Sequence, residues 1–391
     1  MRTAIMAICI AAVLSVGAAY LFANPSSQLA ASASANAQAS SIVFDTSRIV
    51  ELLKQLLSLR ASTAPGVAGP YATSTPVAPS AATTTAHAAA RKPASAPAAP
   101  TLPQQSPTEK ALGLVLPSLR SALVNIVCLP VTTGNGIRGI SGSGVIIDPH
   151  GVILTVSHVA QYEVLAEARP DLMSCFVRTG SPATFAYRAK PIYVSSNWIT
   201  QNQQTISTAD PKGTGENDYA LLAITSSDTS APLPSSFPYV ILSPTPASIG
   251  DPIVIGSYGA EFLTSTRIRN DLFPTLVFGS VHDRYTFTTT TIDLLSLGGG
   301  AAAQQGSSGG GAINQSGQLV ALITTSSSGT DLASRDLHAI TTAYVLRAFK
   351  QETGFDLPAY IASGDPTTLA NSYAGKASQI ADTLIKANGL K

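Results

Sequence analysis

The chain has 391 residues, with 23 Lys plus Arg against 22 Asp plus Glu, a net charge of +1, and 12% charged residues. Charge so low and so balanced, with no basic stripe, excludes nucleic acid as a natural partner. Three cysteines and five histidines occur, and none of their spacings forms a structural zinc site, so neither a metal nor a cofactor is implied.

The chain opens Met1-Arg2-Thr3 and then runs apolar from Ala4 to Ala23, where Asn24-Pro25 stops the helix. Ala-x-Ala sites follow at Ala31-Ser32-Ala33 and Ala35-Asn36-Ala37. Residues 1–37 are therefore a cleavable signal peptide or an uncleaved membrane anchor, since the apolar run is near the length needed to span. Both readings put the protein outside the cytoplasm, secreted or attached to the outer face of the cell membrane.

Residues 38–106 divide in two. Ile49 to Arg60 reads as a short amphipathic helix with Leu52, Leu53, Leu56 and Leu57 on one face. Alone it is too short to be stable; oligomerisation, membrane contact, docking on the downstream domain and a marginal helix in a tail all fit. Residues 61–106 are dominated by Ala, Pro, Ser and Thr. Such a segment cannot bury enough apolar surface to fold and reads as a semi-extended linker. Nothing in the sequence fixes an oligomeric state.

Residues 107–356 carry the chemistry. Gly142 to Ile147, the turn Asp148-Pro149-His150-Gly151 and Val152 to Val156 read as strand, tight turn, strand, with His158 ending the second strand. Glu216-Asn217-Asp218 leads into the apolar run Tyr219-Ala220-Leu221-Leu222. Further on, Gly306-Ser307-Ser308-Gly309-Gly310 precedes the strand-like Leu319 to Thr324. A serine between glycines can sit on a tight turn with its hydroxyl exposed and neighbouring amides free. Neutral imidazole can take the proton of such a hydroxyl, and a carboxylate on the other ring nitrogen fixes the tautomer. His158, Asp218 and Ser308 are the candidates for base, orienting acid and nucleophile. Asp210 and Asp251 are rival acids, and Ser307 is the rival serine, although choosing it would lose the glycine two positions before the nucleophile. The histidines His87, His150, His282 and His338 read as surface or structural residues.

Cys128 and Cys175 flank the histidine segment, while Cys9 lies in the targeting segment. An exported protein can pair Cys128 with Cys175; two free buried thiols fit equally well.

At these motifs the chain resembles the trypsin-like serine peptidases, and among them the bacterial HtrA/Deg-type protease domain. Ile249-Gly250-Asp251-Pro252 to Gly259 and Val277 to Val281 are similar to strands of that family's second barrel. The resemblance covers roughly residues 120 to 350. It implies an all-β fold of two antiparallel six-stranded β-barrels with a C-terminal helix, and a cleft between the barrels holding His158, Asp218 and Ser308. It also implies an oxyanion hole from the backbone N–H groups of Gly306 and Ser308, and polypeptide substrates lying along Leu322, Ile323 and Thr324 as an added strand.

Two segments depart from the family pattern. A polar insert is expected over roughly 186–216, and the loop Leu297 to Gln305 is expanded and glycine-rich. The second predicts an imperfect hole at rest that substrate orders, because glycine carries a large ordering entropy. Residues 338–356 read as a last strand passing into a helix. The tail 357–391 has a helical pattern through Leu369, Tyr373, Ile380, Ala381 and Leu384. That tail is too short for the PDZ domain HtrA proteins usually append, so regulation of that kind is expected to be absent or replaced.

Overall fold

The computed structural model describes residues 105–131, 137–208, 213–288, 290–327, 329 and 331–390, all within one compact unit, Pro97–Lys391. The targeting segment, the helix expected over 49–60, nearly all of the linker and Asp210 lie outside them. Among the described residues no helix is long and apolar enough to cross a membrane.

Helix α1 (Pro107–Ala122) opens the domain. Ser106 Oγ accepts from Glu109 N at 3.1 Å, and Ser106 N donates back to Glu109 Oε2 at 2.8 Å. This reciprocal box, with Pro107 at the first helical position, satisfies amides that would otherwise lack partners. Leu112, Leu119 and Ala122 are buried. Leu119 closes over Gly256, where a Cβ would lie 2.8 Å from its Cδ2.

Seven elements then form the first barrel and its attached helix. These are β1 (Leu123–Pro130), β2 (Ile140–Ile146), β3 (Val152–Thr155), α2 (Ser157–Ala168), β4 (Met173–Gly180), β5 (Ala183–Val194) and β6 (Ala220–Ser227). The strands close in the order β1-β2-β3-β6-β5-β4. As expected, the β2–β3 turn is built on Asp148, whose carboxylate accepts from His150 N at 2.8 Å, with Gly151 at φ +92. Cys128 and Cys175 face each other across the β1–β4 ladder and are disulfide-bonded. The polar insert expected from residue 186 is a barrel strand up to Val194, followed by the short helix α3 (Ser196–Asn202). Arg188 and Lys190 sit at half-exposed positions of β5, beside Pro191, so the alternation that marks a strand is blurred there.

The second sheet is antiparallel and seven-stranded, where the family likeness implied six strands. Its members are β7 (Pro252–Ser257), β8 (Thr275–Ser280), β9 (Asp283–Tyr285), β10 (Leu294–Ser296), β11 (Gly311–Ile313), β12 (Leu319–Ser326) and β13 (Leu337–Thr341), in the order β8-β7-β11-β12-β13-β10-β9. Between β7 and β8 lies helix α4 (Ser265–Asn270). Ile253, Ile255, Leu295, Val320, Ile323 and Leu337 belong to this sheet's own buried cluster.

Helices α5 (Thr342–Thr353), α6 (Leu357–Ile361) and α7 (Pro366–Asn388) complete the chain. Asp365 caps α7 by accepting from Thr367 N and Thr368 N at 2.9 and 3.0 Å. The helix buries Leu369, Ile380, Ala381 and Leu384, residues of the expected tail pattern, against α2 and β5. The tail therefore braces the helix that carries His158.

Candidate active site

His158 does not end a strand: β3 stops at Thr155, and His158 lies in the first turn of α2. The first amides of a helix have no partner within it, and Val156 offers no side-chain cap. The buried Asp218 carboxylate fills that role. Its Oδ1 accepts from His158 N at 3.0 Å, and its Oδ2 contacts His158 Nδ1 at 2.7 Å. One carboxylate thus orients both the helix start and the ring, and an anion there also suits the positive end of the helix. Ser157 Oγ adds a bond to Tyr219 O at 2.7 Å, tying the helix to the residue after the acid.

Asp218 follows Asn217, which has φ +59. A non-glycine residue in this left-handed region needs support. Tyr344 of α5 supplies it, accepting from Asn217 N at 3.0 Å and donating to Asn217 Oδ1 at 3.0 Å. Burial pushes the Tyr344 phenol up to about 12, so the donor keeps its proton. The rival acid Asp251 caps its own turn instead, accepting from Ser248 N at 2.8 Å.

The serine turn touches the elements that carry this pair. Ser143 N of β2 donates to Ser308 O at 2.8 Å, and Thr155 Oγ1 at the end of β3 donates to Ser143 O at 2.8 Å. A Cβ on Gly309 would lie 2.0 Å from Ser143 O, so only glycine fits this approach. Thr324 is the other link. Its carbonyl accepts from Ser308 Oγ at 3.5 Å, and its Oγ1 lies 2.9 Å from where a Gly215 Cβ would be. Gly215 O in turn accepts from Asp218 N at 3.2 Å. No hydrogen bond joins Ser308 Oγ to His158 among the described residues. The rival Ser307 is buried, its hydroxyl bonded to Ser257 Oγ at 3.0 Å.

The amides of Gly306 and Ser308 donate to no protein acceptor among the described residues, whereas those of Ser307, Gly309 and Gly310 all do. Ser143 Oγ holds the Gly306 carbonyl at 2.8 Å, and Gly310 N holds the Ser307 carbonyl at 2.9 Å. Since N–H and C=O of a trans peptide point opposite ways, fixing the Ser307 carbonyl aims the Ser308 N–H. The glycine-rich loop before the serine is fastened rather than slack. Gly300 N donates to Leu332 O at 2.8 Å, and Leu337 N donates to Gly298 O at 3.1 Å.

Of the three residues expected to offer a substrate edge, Leu322 and Ile323 are buried with their main chain engaged. Leu322 pairs with Gly311 and Ile340, and Ile323 bonds the serine turn and pairs with Ala339. Thr324 is the extra residue of a bulge between Ile323 and Thr325, beyond the end of β11. The edge free of β11 therefore begins at Thr324 and continues through Thr325 and Ser326.

Pairing Cys128 with Cys175 brings a third group near. Glu163 of α2 has its carboxylate within 4.8 Å of both sulfurs, and burial pushes it up to about 8. As a disulfide, these sulfurs offer no thiolate to a metal.

Residues 142–322 match the family model described as a trypsin-like peptidase domain. No curated protein matches the sequence. Among solved structures, the chain is similar to Deg5, with 17% identity over 63% of this chain and 96% of that one and a TM-score of 0.42. It is also similar to the active form of the Rv3671c protease from M. tuberculosis, with 18% identity over 68% of this chain and 95% of that one and a TM-score of 0.39. The inactive form of the Rv3671c protease gives 18% identity over 63% and 96%, with a TM-score of 0.38.

Proposed function

We propose that this chain, which carries a trypsin-like peptidase domain over residues 142–322, is an exported serine endopeptidase of the HtrA/Deg type that cleaves polypeptides through an acyl-enzyme. The observation that carries the reading is the double contact of Asp218 with His158, made beside a serine turn that leaves the amides of Gly306 and Ser308 free.

Ser308 Oγ attacks the scissile carbonyl carbon as His158 Nε2 takes its proton. Asp218 keeps the other ring proton on Nδ1 and stabilises the imidazolium. Charge developing on the carbonyl oxygen is met by the Gly306 and Ser308 N–H groups; removing one such donor typically costs about 3 kcal/mol of barrier. The carbon–nitrogen bond then breaks, His158 returns the proton to the leaving amine, and water releases the acyl group by the same path. An extended substrate pairs its main chain with the edge from Thr324 to Ser326. Location outside the cytoplasm, with or without membrane attachment, is supported by the apolar run Ala4 to Ala23 and by the buried Cys128–Cys175 disulfide.

A catalytically silent scaffold that binds extended peptides is the second reading. It is favoured by the Ser308 hydroxyl resting on the Thr324 carbonyl rather than on His158. Hydrolysis of an unfolded protein such as reduced casein separates the two. Turnover by the wild type that vanishes in Ser308→Ala supports the peptidase, whereas a folded wild type that binds casein without cutting it supports the scaffold.

A further inference from the structure

The direction of the Gly306 amide depends on a single peptide plane. Gln304 to Ser307 form a turn closed by Ser307 N donating to Gln304 O at 3.1 Å, with Gly306 at φ +93. That angle at the third residue belongs to a type II turn. A type I turn of the same four residues would reverse the Gln305–Gly306 peptide and point a carbonyl where the Gly306 N–H now points. Glycine tolerates both forms, so its own sterics select neither. The selection must come from outside the turn.

Two consecutive residues of the loop after β7 grip Gln305 at both ends. Ala260 N donates to Gln305 O at 2.8 Å, and Glu261 Oε2 accepts from Gln305 N at 3.0 Å. Glu261 is itself clamped: Arg335 reaches its two oxygens at 2.6 and 2.7 Å and also donates to Ala303 O at 3.0 Å. Such bidentate geometry is the strong, directional form of an ion pair. Both side chains are largely shielded, at 17% and 18% exposure, which limits screening by solvent. Arg335 thus fastens the loop after β7, the glycine-rich loop before the serine and the segment entering β13 at one point.

We propose that Glu261 and Arg335 are positioning residues that hold the Gln305–Gly306 peptide in the orientation required for the oxyanion hole. The pair touches neither substrate nor the reacting atoms and works through the Gln305 main chain. This inference rests on the peptidase reading above.

The test compares wild type with Glu261→Ala, Arg335→Ala and Glu261→Gln on one peptide substrate and on a peptide boronate. The boronate's tetrahedral adduct on Ser308 needs the oxyanion hole, whereas ground-state peptide binding does not. Each alanine variant should lose roughly 10- to 100-fold in kcat, with KM changed by less than about threefold and boronate affinity falling with kcat. Glu261→Gln keeps an acceptor for Gln305 N but loses the charge, and should lie between the alanine variants and wild type. Being nearly isosteric, it carries the test if the alanine variants fail to fold. Folded variants with wild-type kcat and boronate affinity would overturn the proposal. So would a loss confined to KM. A wild type that forms no boronate adduct on Ser308 would remove the peptidase reading and this one together. An adduct equally tight in wild type and variants would remove only this one.

Discussion

Glu163→Gln probes the helix that presents His158. Glu163 lies on α2, buried, with Oε1 lacking any hydrogen-bond partner among the described residues. Burial raises its pKa from 4.5 to about 8, opposed by Arg188 and aided by Glu167. A carboxyl raised on folding gives up stability as pH climbs: above the unfolded value the unfolded chain ionises freely while the folded one must stay protonated. At about 1.4 kcal/mol for each pH unit between the two values, wild type should lose on the order of 3 kcal/mol between pH 4.5 and pH 7 through this group. The total should reach about 5 kcal/mol above pH 8. Glutamine cannot ionise, and its amide contributes an offset of about 1–3 kcal/mol that does not vary with pH. The assay is urea unfolding of both proteins near pH 5, 7 and 9, reading only how their difference changes. The variant should gain on wild type steadily as pH rises. A difference that stays constant across the range would refute a buried, protonated Glu163.

Asp218→Asn should lower kcat by roughly 10⁴-fold with little change in KM, because the amide leaves the imidazole in the wrong tautomer; steady-state kinetics on a peptide substrate reads this. Tyr344→Phe removes both bonds that hold Asn217 in its left-handed conformation. It should destabilise the fold by about 1–2 kcal/mol and lower kcat more than KM changes, measured by urea unfolding and kinetics on the same preparation.

His158, Asp218 and Ser308 were legible because each is a reactive residue set against an apolar strand or a glycine turn, and those patterns survive without coordinates. The strands β2, β3 and β6 show as apolar runs of the same kind. The seat of His158 did not: Ser157-His158-Val159 continues the apolar character of β3, and only the Asp218 contact makes it a helix start. Helix α1 carries Gly113 and Pro117, residues of low helix propensity, in its interior, although Ser106-Pro107-Thr108-Glu109 forms a capping box at its start. Pairing of Cys128 with Cys175 stayed open until their places in facing strands were known. Glu261 and Arg335 lie 74 residues apart with no motif around either, so nothing local joins them. The part of β12 free of β11 begins only at Thr324, because a bulge there, invisible to a period-two reading, follows the paired residues Leu322 and Ile323.

The proposed function rests on Ser308 acting as a nucleophile activated by His158. Treating the folded protein with a fluorophosphonate and mapping the adduct by peptide mass spectrometry tests it most directly. One covalent adduct is expected, on Ser308, lost in His158→Ala and in Ser308→Ala. A folded wild type that stays unlabelled, or carries the label on Ser307 or another residue, would contradict it.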